Sequence, residues 1–254
     1  MLTTATLILC LSALGQVFTV PRILELDMAE NSVDDQFDGC KEKMAELLVK
    51  PLPTASETQE MYPRGFTWNH LFAISAYTGE RIYNNFRADT VNGKDNYTKK
   101  TYGWYSLYFL LTDAIQILNK LQKEAHPGCI ITYRRTRLMF NSTDVVNKNI
   151  RFGQFASSST NRNSTDIFGN VSCFEIRTCE GAHVSKYSLF PGEEEVLIPP
   201  YEVFKVTKVT SDWCETVYHL NSAGTKSNLN CALVDVKNLW QSIKDFFKRL
   251  VGKG

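Results

Sequence analysis

Apolar residues follow a helical period in the first half of the chain and a different pattern in the second. From about residue 35 to 125 they recur every three or four positions, which predicts amphipathic helices. Two stripes carry most of them: Phe37, Cys40, Met44, Leu47 and Leu48 in the first, and Leu107, Leu110, Leu111, Ala114, Leu118 and Leu121 in the second. The same period continues across residues 68–86, whereas the polar run 89–100 predicts a loop. The stripes indicate a helical core.

Short runs rich in β-forming residues, separated by Asn, Ser and Gly, replace this period after Gly128. We predict strands at residues 129–139, 151–156, 171–178, 195–199, 201–209, 213–220 and 230–236. Helices in the first half and strands in the second are typical of an α+β protein with segregated elements. The pattern therefore predicts the α+β class.

The composition narrows the classes of function. The chain has 254 residues, of which 43% are hydrophobic and 22% charged, as expected for a globular protein with one core. A formal net charge of +1, without a basic face interleaved with aromatics, argues against nucleic-acid binding. Glycine-rich dinucleotide and phosphate loops and the His-Glu-x-x-His zinc motif are missing, and the four histidines are scattered. Any active site should be built from Arg, Ser and Glu.

The N-terminus and the cysteines point to secretion. Residues 1–15 carry no charge and contain an apolar run ending in Ala13-Leu14-Gly15, which predicts a cleaved signal peptide; a buried strand is the alternative. Cleavage leaves an even six of the seven cysteines, as oxidised pairs require. Four glycosylation sequons agree with this route: Asn96, Asn141, Asn163 and Asn170. We therefore expect a secreted, extracellular glycoprotein.

Residues 237–254 predict a basic amphipathic helix. Its apolar face and its basic face are made by separate sets: Leu239, Trp240, Ile243, Phe246, Phe247, Leu250 and Val251, against Lys244, Lys248, Arg249 and Lys253. Such a helix either lies on a membrane surface or docks on the protein's own core. The long apolar tail of a GPI signal is missing, so we expect a soluble monomer with at most loose membrane-surface contact.

Three carboxylates run directly into an apolar strand in the stretch 191–200. On an extended backbone Glu193 and Glu195 would share one face while Glu194 turns away. Like charges this close cost free energy unless a cation, donor or substrate group lies between them. The sequence therefore indicates a site with paired carboxylates, and the alternative is a solvated acidic turn.

Two other stretches carry candidate chemistry. In Tyr133-Arg134-Arg135-Thr136-Arg137, strand alternation directs Arg134 to one face and Arg135 with Arg137 to the other. An inward guanidinium suits a phosphate, whereas a solvated basic edge strand is the alternative. The hydroxyl cluster at residues 157–160 ends a predicted strand, and it either lines a site or satisfies a turn.

The order of these motifs resembles the vertebrate ecto-ADP-ribosyltransferases that modify arginine. The likeness rests on Tyr-Arg-x-Thr, then Phe-x-Ser-x-Ser, then Phe-Pro-x-Glu-x-Glu-Val-Leu-Ile-Pro-Pro. It extends to the segments 151–154, 176–179 and 227–232. The resemblance implies a catalytic domain at 16–236, with an N-terminal helical portion followed by a β-rich NAD-binding core of two packed sheets.

The resemblance also implies roles for individual residues. Arg134 is expected to anchor NAD, Ser157 to position NAD and the catalytic group, and Glu195 to be the catalytic glutamate. Glu193 is expected to recognise the acceptor arginine. In this reaction NAD, or NADP, is consumed as a co-substrate, no cofactor stays bound, and no metal is required.

One departure and one nearby loop qualify these roles. Arg135 stands where the family commonly has Gly, immediately after the expected NAD-binding Arg134. In the loop 181–192, Tyr187 and Phe190 are candidates to contact the modified protein. The alternative is that at least one of them packs in the core.

The same likeness selects disulfides among the 15 pairings that six cysteines allow. Similar proteins join the cysteines at the positions of Cys129 and Cys179, and those at the positions of Cys40 and Cys231. We infer that Cys173 pairs with Cys214.

Three classes of function are compatible with the sequence. The leading one transfers ADP-ribose from NAD to arginine side chains of target proteins and releases nicotinamide. An NAD glycohydrolase and a catalytically silent secreted binding glycoprotein are the alternatives. The Glu-x-Glu spacing favours transfer over hydrolysis, and the Arg, Ser and Glu positions count against a silent protein.

Overall fold

The computed structural model describes residues 23–49 and 62–234. The predicted signal peptide 1–15 and the C-terminal helix 237–254 lie outside these residues. Among the described residues of the N-terminal half, five helices are present: α1 Lys41–Leu48, α2 Trp68–Thr78, α3 Glu80–Val91, α4 Lys94–Thr98 and α5 Tyr105–Ala125. Within the described ranges, no helix is long and apolar enough to cross a membrane.

The second predicted stripe supplies part of the buried face of α5: Leu111, Ala114 and Leu118 are buried, while Leu107, Leu110 and Leu121 are half-buried. Tyr108, Leu111, Ala114 and Leu118 on this helix are buried in one cluster with residues of the other helices. The prediction of a loop at 89–100 is wrong, because α3 continues to Val91 and α4 lies within the segment. The side chain of Tyr97 is buried there and donates a hydrogen bond of 2.7 Å to Asp35, so a tertiary contact fixes a helix in a polar run.

The described part of the chain has ten strands, one short strand before the helices and nine after them, as the expected division requires. They are β1 Ile23–Leu24, β2 Ile130–Thr136, β3 Met139–Phe140, β4 Asn149–Ile150, β5 Ala156–Ser159, β6 Ser172–Thr178, β7 Ala182–His183, β8 Glu195–Ile198, β9 Glu202–Thr210 and β10 Thr216–Thr225. The prediction of an α+β fold is confirmed.

Two predicted strands differ from the structure. Residues 151–155 are irregular and only Ala156 begins β5, because Gly153 has a φ of 65° that no regular strand accommodates. Residues 230–234 form turns in which Cys231 has a φ of 58°, while 235–236 lie outside the described residues. The apolar residues in both segments pack without forming a ladder.

The main sheet has eight strands in the order β4-β9-β10-β6-β2-β5-β8-β7, and β1 pairs with β3 in a separate parallel sheet. Between β2 and β5 the pairing consists of Tyr133 with Ser159 alone. This junction divides the sheet into a five-stranded part, β4-β9-β10-β6-β2, and a three-stranded part, β5-β8-β7. The two sheet parts are thus joined by one residue pair, Tyr133 with Ser159, which we call the single rung.

The two parts pack on each other as the prediction of two packed sheets requires. Val196 and Ile198 on β8 share a buried cluster with Phe174, Phe204 and Tyr218 of the five-stranded part. Leu197, between them in sequence, is buried on the opposite face against the helical cluster. The three-stranded part therefore lies between the helices and the rest of the sheet.

Three disulfides join distant parts of the described chain. Their Cα separations are 6.1 Å for Cys40–Cys231, 4.3 Å for Cys129–Cys179 and 6.1 Å for Cys173–Cys214. These are the pairs expected from the sequence. Cys40–Cys231 closes a separation of 191 residues, and bridges over long loops restrict the unfolded chain most.

A buried ion pair connects three segments that lie far apart in sequence. Arg151 Nη1 is 2.6 Å from Asp34 Oδ2, and both side chains have 0% exposure. The backbone amides of Asn228 and Leu229 donate to the same carboxylate at 2.9 and 3.0 Å. The segments 151–154 and 227–232, which carry part of the family resemblance, are thus held together by a structural contact.

Candidate active site

A cleft of about 700 Å³ opens where β2 and β5 stop pairing. It is bordered by residues from both sheet parts, from α2 and α3, and from two loops: Tyr77, Thr78, Tyr83, Asn84, Tyr133, Arg134, Arg135, Ser157, Ser158, Ser159, Ser164, Thr165, Ile167, Phe168, Phe190, Glu193 and Glu195. Its size lies within the range usual for small-molecule sites, roughly 300–1,000 Å³. The cleft gathers Arg134, Ser157, Glu193 and Glu195 around one space.

Glu195 is the buried carboxylate of this cleft. It is the first residue of β8, pairs with Ser159 of β5, and is only 4% exposed. Its Oε2 atom is buried without a hydrogen-bond partner among the described residues. Burial raises the pKa of Glu195, the charge of Glu193 raises it further, and the hydroxyls of Ser157 and Ser188 with the charge of Arg134 oppose the rise. A buried carboxylate with one oxygen left without a partner is available to interact with a bound molecule.

Arg134 and Ser157 lie on facing strands beside the single rung. The Nη1 group of Arg134 donates to the backbone oxygen of Ser157 at 2.5 Å. The Ser157 hydroxyl is 3.4 Å from the hydroxyl of Tyr77, which donates to the backbone oxygen of Phe155 at 2.8 Å. Arg134 also borders a smaller cavity of about 290 Å³. The guanidinium is therefore fixed between the two sheet parts.

Glu193 reaches the cleft by a route that differs from the predicted one. It ends the 3-10 turn Pro191–Glu193, and Glu194 then has a left-handed φ of 48°. The carboxylate of Glu194 is turned outward, where it accepts a hydrogen bond of 3.1 Å from Thr160. Glu193 and Glu195 face one cleft, as predicted, but a turn produces this and not simple strand alternation. Partial burial raises the pKa of Glu193.

The two aromatic candidates separate in the structure. Phe190 borders the cleft and its side chain is exposed. Tyr187 is not among the cleft residues: its ring stacks on Phe66 at a centroid distance of 4.5 Å, against the helical cluster. Tyr187 thus follows the alternative of core packing, while Phe190 remains the candidate for contact with a protein substrate.

Several cleft residues gave no clear signal in the sequence. Tyr77 belongs to a segment predicted only as helical core, although its hydroxyl approaches Ser157. The 3-10 helix Asn163–Phe168 forms one wall and exposes Ile167 and Phe168 by 71% and 46%. An apolar pair in a polar, sequon-bearing stretch could have indicated this wall.

The predicted glycosylation sites differ in their surroundings. Asn96, Asn163 and Asn170 are exposed, whereas Asn141 is half-buried and its amide nitrogen lies 3.1 Å from Glu25 Oε1. Asn163 is the first residue of the 3-10 helix Asn163–Phe168 that borders the cleft. Residues 23–49 and 62–234 contain no group of three or more His, Cys, Asp and Glu side chains that could hold a metal ion.

A buried carboxylate of raised pKa, facing an arginine and a serine in a cleft, is typical of an enzyme active site. Comparison with known proteins identifies the family. The model of the NAD:arginine ADP-ribosyltransferase family matches residues 54–228. The chain belongs to this family, and the resemblance read from its motifs is confirmed.

Individual relatives agree with this assignment. T-cell ecto-ADP-ribosyltransferase 2 of Mus musculus is 35% identical over 233 residues, which cover 81% of this chain and 76% of the relative. Ecto-ADP-ribosyltransferase 5 of Homo sapiens is 32% identical over 257 residues, covering 90% and 88%. A crystal structure of a mutant of the mono-ADP-ribosyltransferase ART2.2 in complex with NADH superposes with a TM-score of 0.64 at 31% identity, covering 82% of this chain and 98% of that one.

Proposed function

We propose that the protein transfers ADP-ribose from NAD, or from NADP, to arginine side chains of target proteins and releases nicotinamide. The observation that carries the proposal is the convergence of Glu195, Glu193, Arg134 and Ser157 on one cleft. Membership of the NAD:arginine ADP-ribosyltransferase family supports the same reaction. NAD is consumed as a co-substrate, and the proposed roles of the cleft residues require no metal.

Glu195 would stabilise the transition state of bond breaking. Cleavage between ribose and nicotinamide develops positive charge on the sugar, as in glycoside hydrolysis. A buried carboxylate acts on that charge more strongly than a solvated one, and it acts on the transition state more than on the ground state. The free Oε2 atom of Glu195 is available to a ribose hydroxyl.

Arg134 and Ser157 would hold the co-substrate in place for this step. A guanidinium matches the geometry and charge of a phosphate, and Arg134 is already oriented by its contact with Ser157. Such a fixed position contributes to rate because the reacting bond is presented to Glu195 in one orientation.

Glu193 would act on the acceptor. A free arginine side chain stays protonated, with a pKa above about 12, and attacks well only when a carboxylate orients it and accepts a proton. Glu193 is partly exposed at the cleft, and its raised pKa makes it a better proton acceptor than an ordinary glutamate. Phe190, exposed beside it, is the proposed contact for the protein that carries the arginine.

We expect Glu193→Gln to impair arginine transfer selectively, on the order of a hundredfold, the usual contribution of a general base. Nicotinamide release should persist, because water as acceptor needs no guanidinium to be deprotonated. The assay measures nicotinamide and ADP-ribosyl-arginine side by side with labelled NAD and an arginine analogue. Glu194→Gln is the matched control, since this carboxylate points toward Thr160, and both products should stay near native levels.

Equal proportional losses of the two products in Glu193→Gln would contradict the acceptor role. The glycohydrolase alternative would then take first place. A native protein that yields neither product would support the catalytically silent alternative.

The pH dependence of nicotinamide release should report the burial of Glu195. The ionised form is the active one, so the raised pKa places the acid limb of kcat/KM above the pKa of an ordinary glutamate, about 4.3. Because the charge of Glu193 contributes to this rise, Glu193→Gln should move the limb to lower pH. A limb that is unmoved in this variant would show that Glu195 does not set it.

For the cellular setting we propose a secreted, extracellular glycoprotein that acts as a monomer. Three disulfides and relatives named as ecto-enzymes support the extracellular setting. The proposal includes a signal peptide at 1–15, a catalytic domain at 16–236 and a C-terminal helix at 237–254 with loose membrane contact. N-terminal sequencing of the secreted protein would test whether the signal peptide is cleaved. Glycosidase treatment would test whether the sequons carry glycans.

A further inference from the structure

Arg135 of β2 and Arg137, the residue that follows this strand, both contact the 3-10 helix Asn163–Phe168, which we call the cleft wall. Nη2 of Arg135 is 2.5 Å from Oδ1 of Asp166. Nη2 of Arg137 donates to the backbone oxygen of Ile167 at 3.2 Å. The wall is therefore attached to β2 and to the residue after it by two guanidinium groups.

Arg135 makes its contact from a buried position. Its side chain is 11% exposed, its guanidinium lies 4.9 Å from the centroid of the Trp213 ring, and Nη1 is 3.7 Å from the Cys214 sulfur. Its Nε atom is buried and has no hydrogen-bond partner among the described residues. A buried cation needs a counter-charge, and in the described part of the chain Asp166 is the carboxylate that pairs with it.

Apart from these two guanidinium groups, the cleft wall is held by the buried Thr165 and by a hydrogen bond of 2.8 Å between the hydroxyls of Ser164 and Ser159 of β5. A 3-10 helix of six residues is short, and such helices are marginal without tertiary contacts. The next two side chains after Asp166 are Ile167 and Phe168, which border the cleft and are largely exposed. Their position thus depends on polar attachment more than on apolar packing.

We propose that Arg135 is a positioning residue that, through Asp166, holds Ile167 and Phe168 against the cleft and thereby sets the affinity for NAD. The proposal rests on the proposed function. Arg135 itself borders the cleft, but its terminal nitrogens are engaged by Asp166 and Cys214, so its proposed effect is exerted through the wall. A chain with Gly at this position has no side chain to make the attachment.

The test compares Arg135→Gln, Asp166→Asn and the exchanged pair R135D/D166R with the native protein. We expect each single variant to raise the KM for NAD about tenfold, the size of effect typical for losing a hydrogen bond to a charged group. The kcat of nicotinamide release should stay within about twofold, because bond breaking does not involve the wall. The exchanged pair should recover part of the loss.

Two controls separate positioning from general damage. Arg162→Gln removes a neighbouring guanidinium that also lies over Trp213, at 5.7 Å, and that makes no ion pair in the described ranges; its KM should stay native. Asp166 is 62% exposed, so Asp166→Asn should fold even if Arg135→Gln does not. Melting temperatures of all variants would be recorded.

Hydrogen exchange at residues 163–168 tests the attachment without using turnover. Exchange should accelerate in Arg135→Gln and Asp166→Asn and stay native in Arg162→Gln. Unchanged exchange, or a native KM in both single variants, would overturn the proposal, as would a kcat loss at unchanged KM. A native protein that releases no nicotinamide would instead contradict the proposed function, while the exchange result would still decide whether Arg135 holds the wall.

Discussion

Glu195→Gln is expected to reduce nicotinamide release and arginine transfer together, by on the order of a hundredfold or more. The amide keeps the size and shape of the carboxylate but loses the negative charge that faces the developing cation on the ribose. Both products depend on the same bond breaking, so their ratio should be unchanged. Steady-state measurement of both products from labelled NAD checks this expectation.

The same variant carries a stability control. Because burial raises the pKa of Glu195, the protonated form favours folding; this stability is present below the unfolded-state pKa and is lost as pH rises through the folded-state pKa. Gln avoids the cost of a buried charge, so Glu195→Gln should melt at no lower temperature than the native protein at neutral pH. Near-native turnover in a folded variant would mean that another residue performs the step.

Asp34→Ala is expected to destabilise the protein by about 3–5 kcal/mol, the cost of leaving a buried charge without its partner. The change strands Arg151 in a fully buried position and removes the acceptor for the amides of Asn228 and Leu229. Denaturant unfolding with the disulfides intact measures the difference.

A neighbouring pair supplies the control for this loss. Lys226 and Glu30 are 2.6 Å apart but exposed, so Glu30→Ala should change stability by less than about 1 kcal/mol. The double variant D34L/R151M should cost less than either single change, since it leaves no unpaired buried charge. A small loss in Asp34→Ala would mean that water or a rearranged partner satisfies Arg151.

The fold class could be predicted from the periodicity of apolar residues, because the tertiary contacts of the main helices use the same apolar positions. On α5 the apolar stripe overlaps the buried face at Leu111, Ala114 and Leu118, so the local pattern and the packing both favour a helix. At residues 94–98 they do not: the segment is polar, and the helix exists because Tyr97 reaches Asp35, 62 residues earlier. A contact that distant leaves no mark in a local period.

The candidate site divides in the same way. The glutamates and Arg134 could be found from motif order, because carboxylate and guanidinium chemistry restricts residue type. Glu194 explains why the face-sharing argument for its neighbours was right for an incomplete reason: its left-handed φ replaces strand alternation. The sequence could not decide which of Tyr187 and Phe190 packs in the core, because whether an aromatic side chain faces a core or a cleft depends on how loops pack.

The single rung between Tyr133 and Ser159 has a consequence for the bound state. Arg134 belongs to one sheet part and Glu195 to the other. The distance between these two side chains therefore depends on the position where the two parts are joined by a single residue pair. A dinucleotide whose phosphate binds Arg134 and whose ribose binds Glu195 would link the two sheet parts across that single pair. A bound dinucleotide would then restrict the motion of the two sheet parts relative to each other. Substitutions in one part could change the distance between Arg134 and Glu195 without altering the fold of the other part.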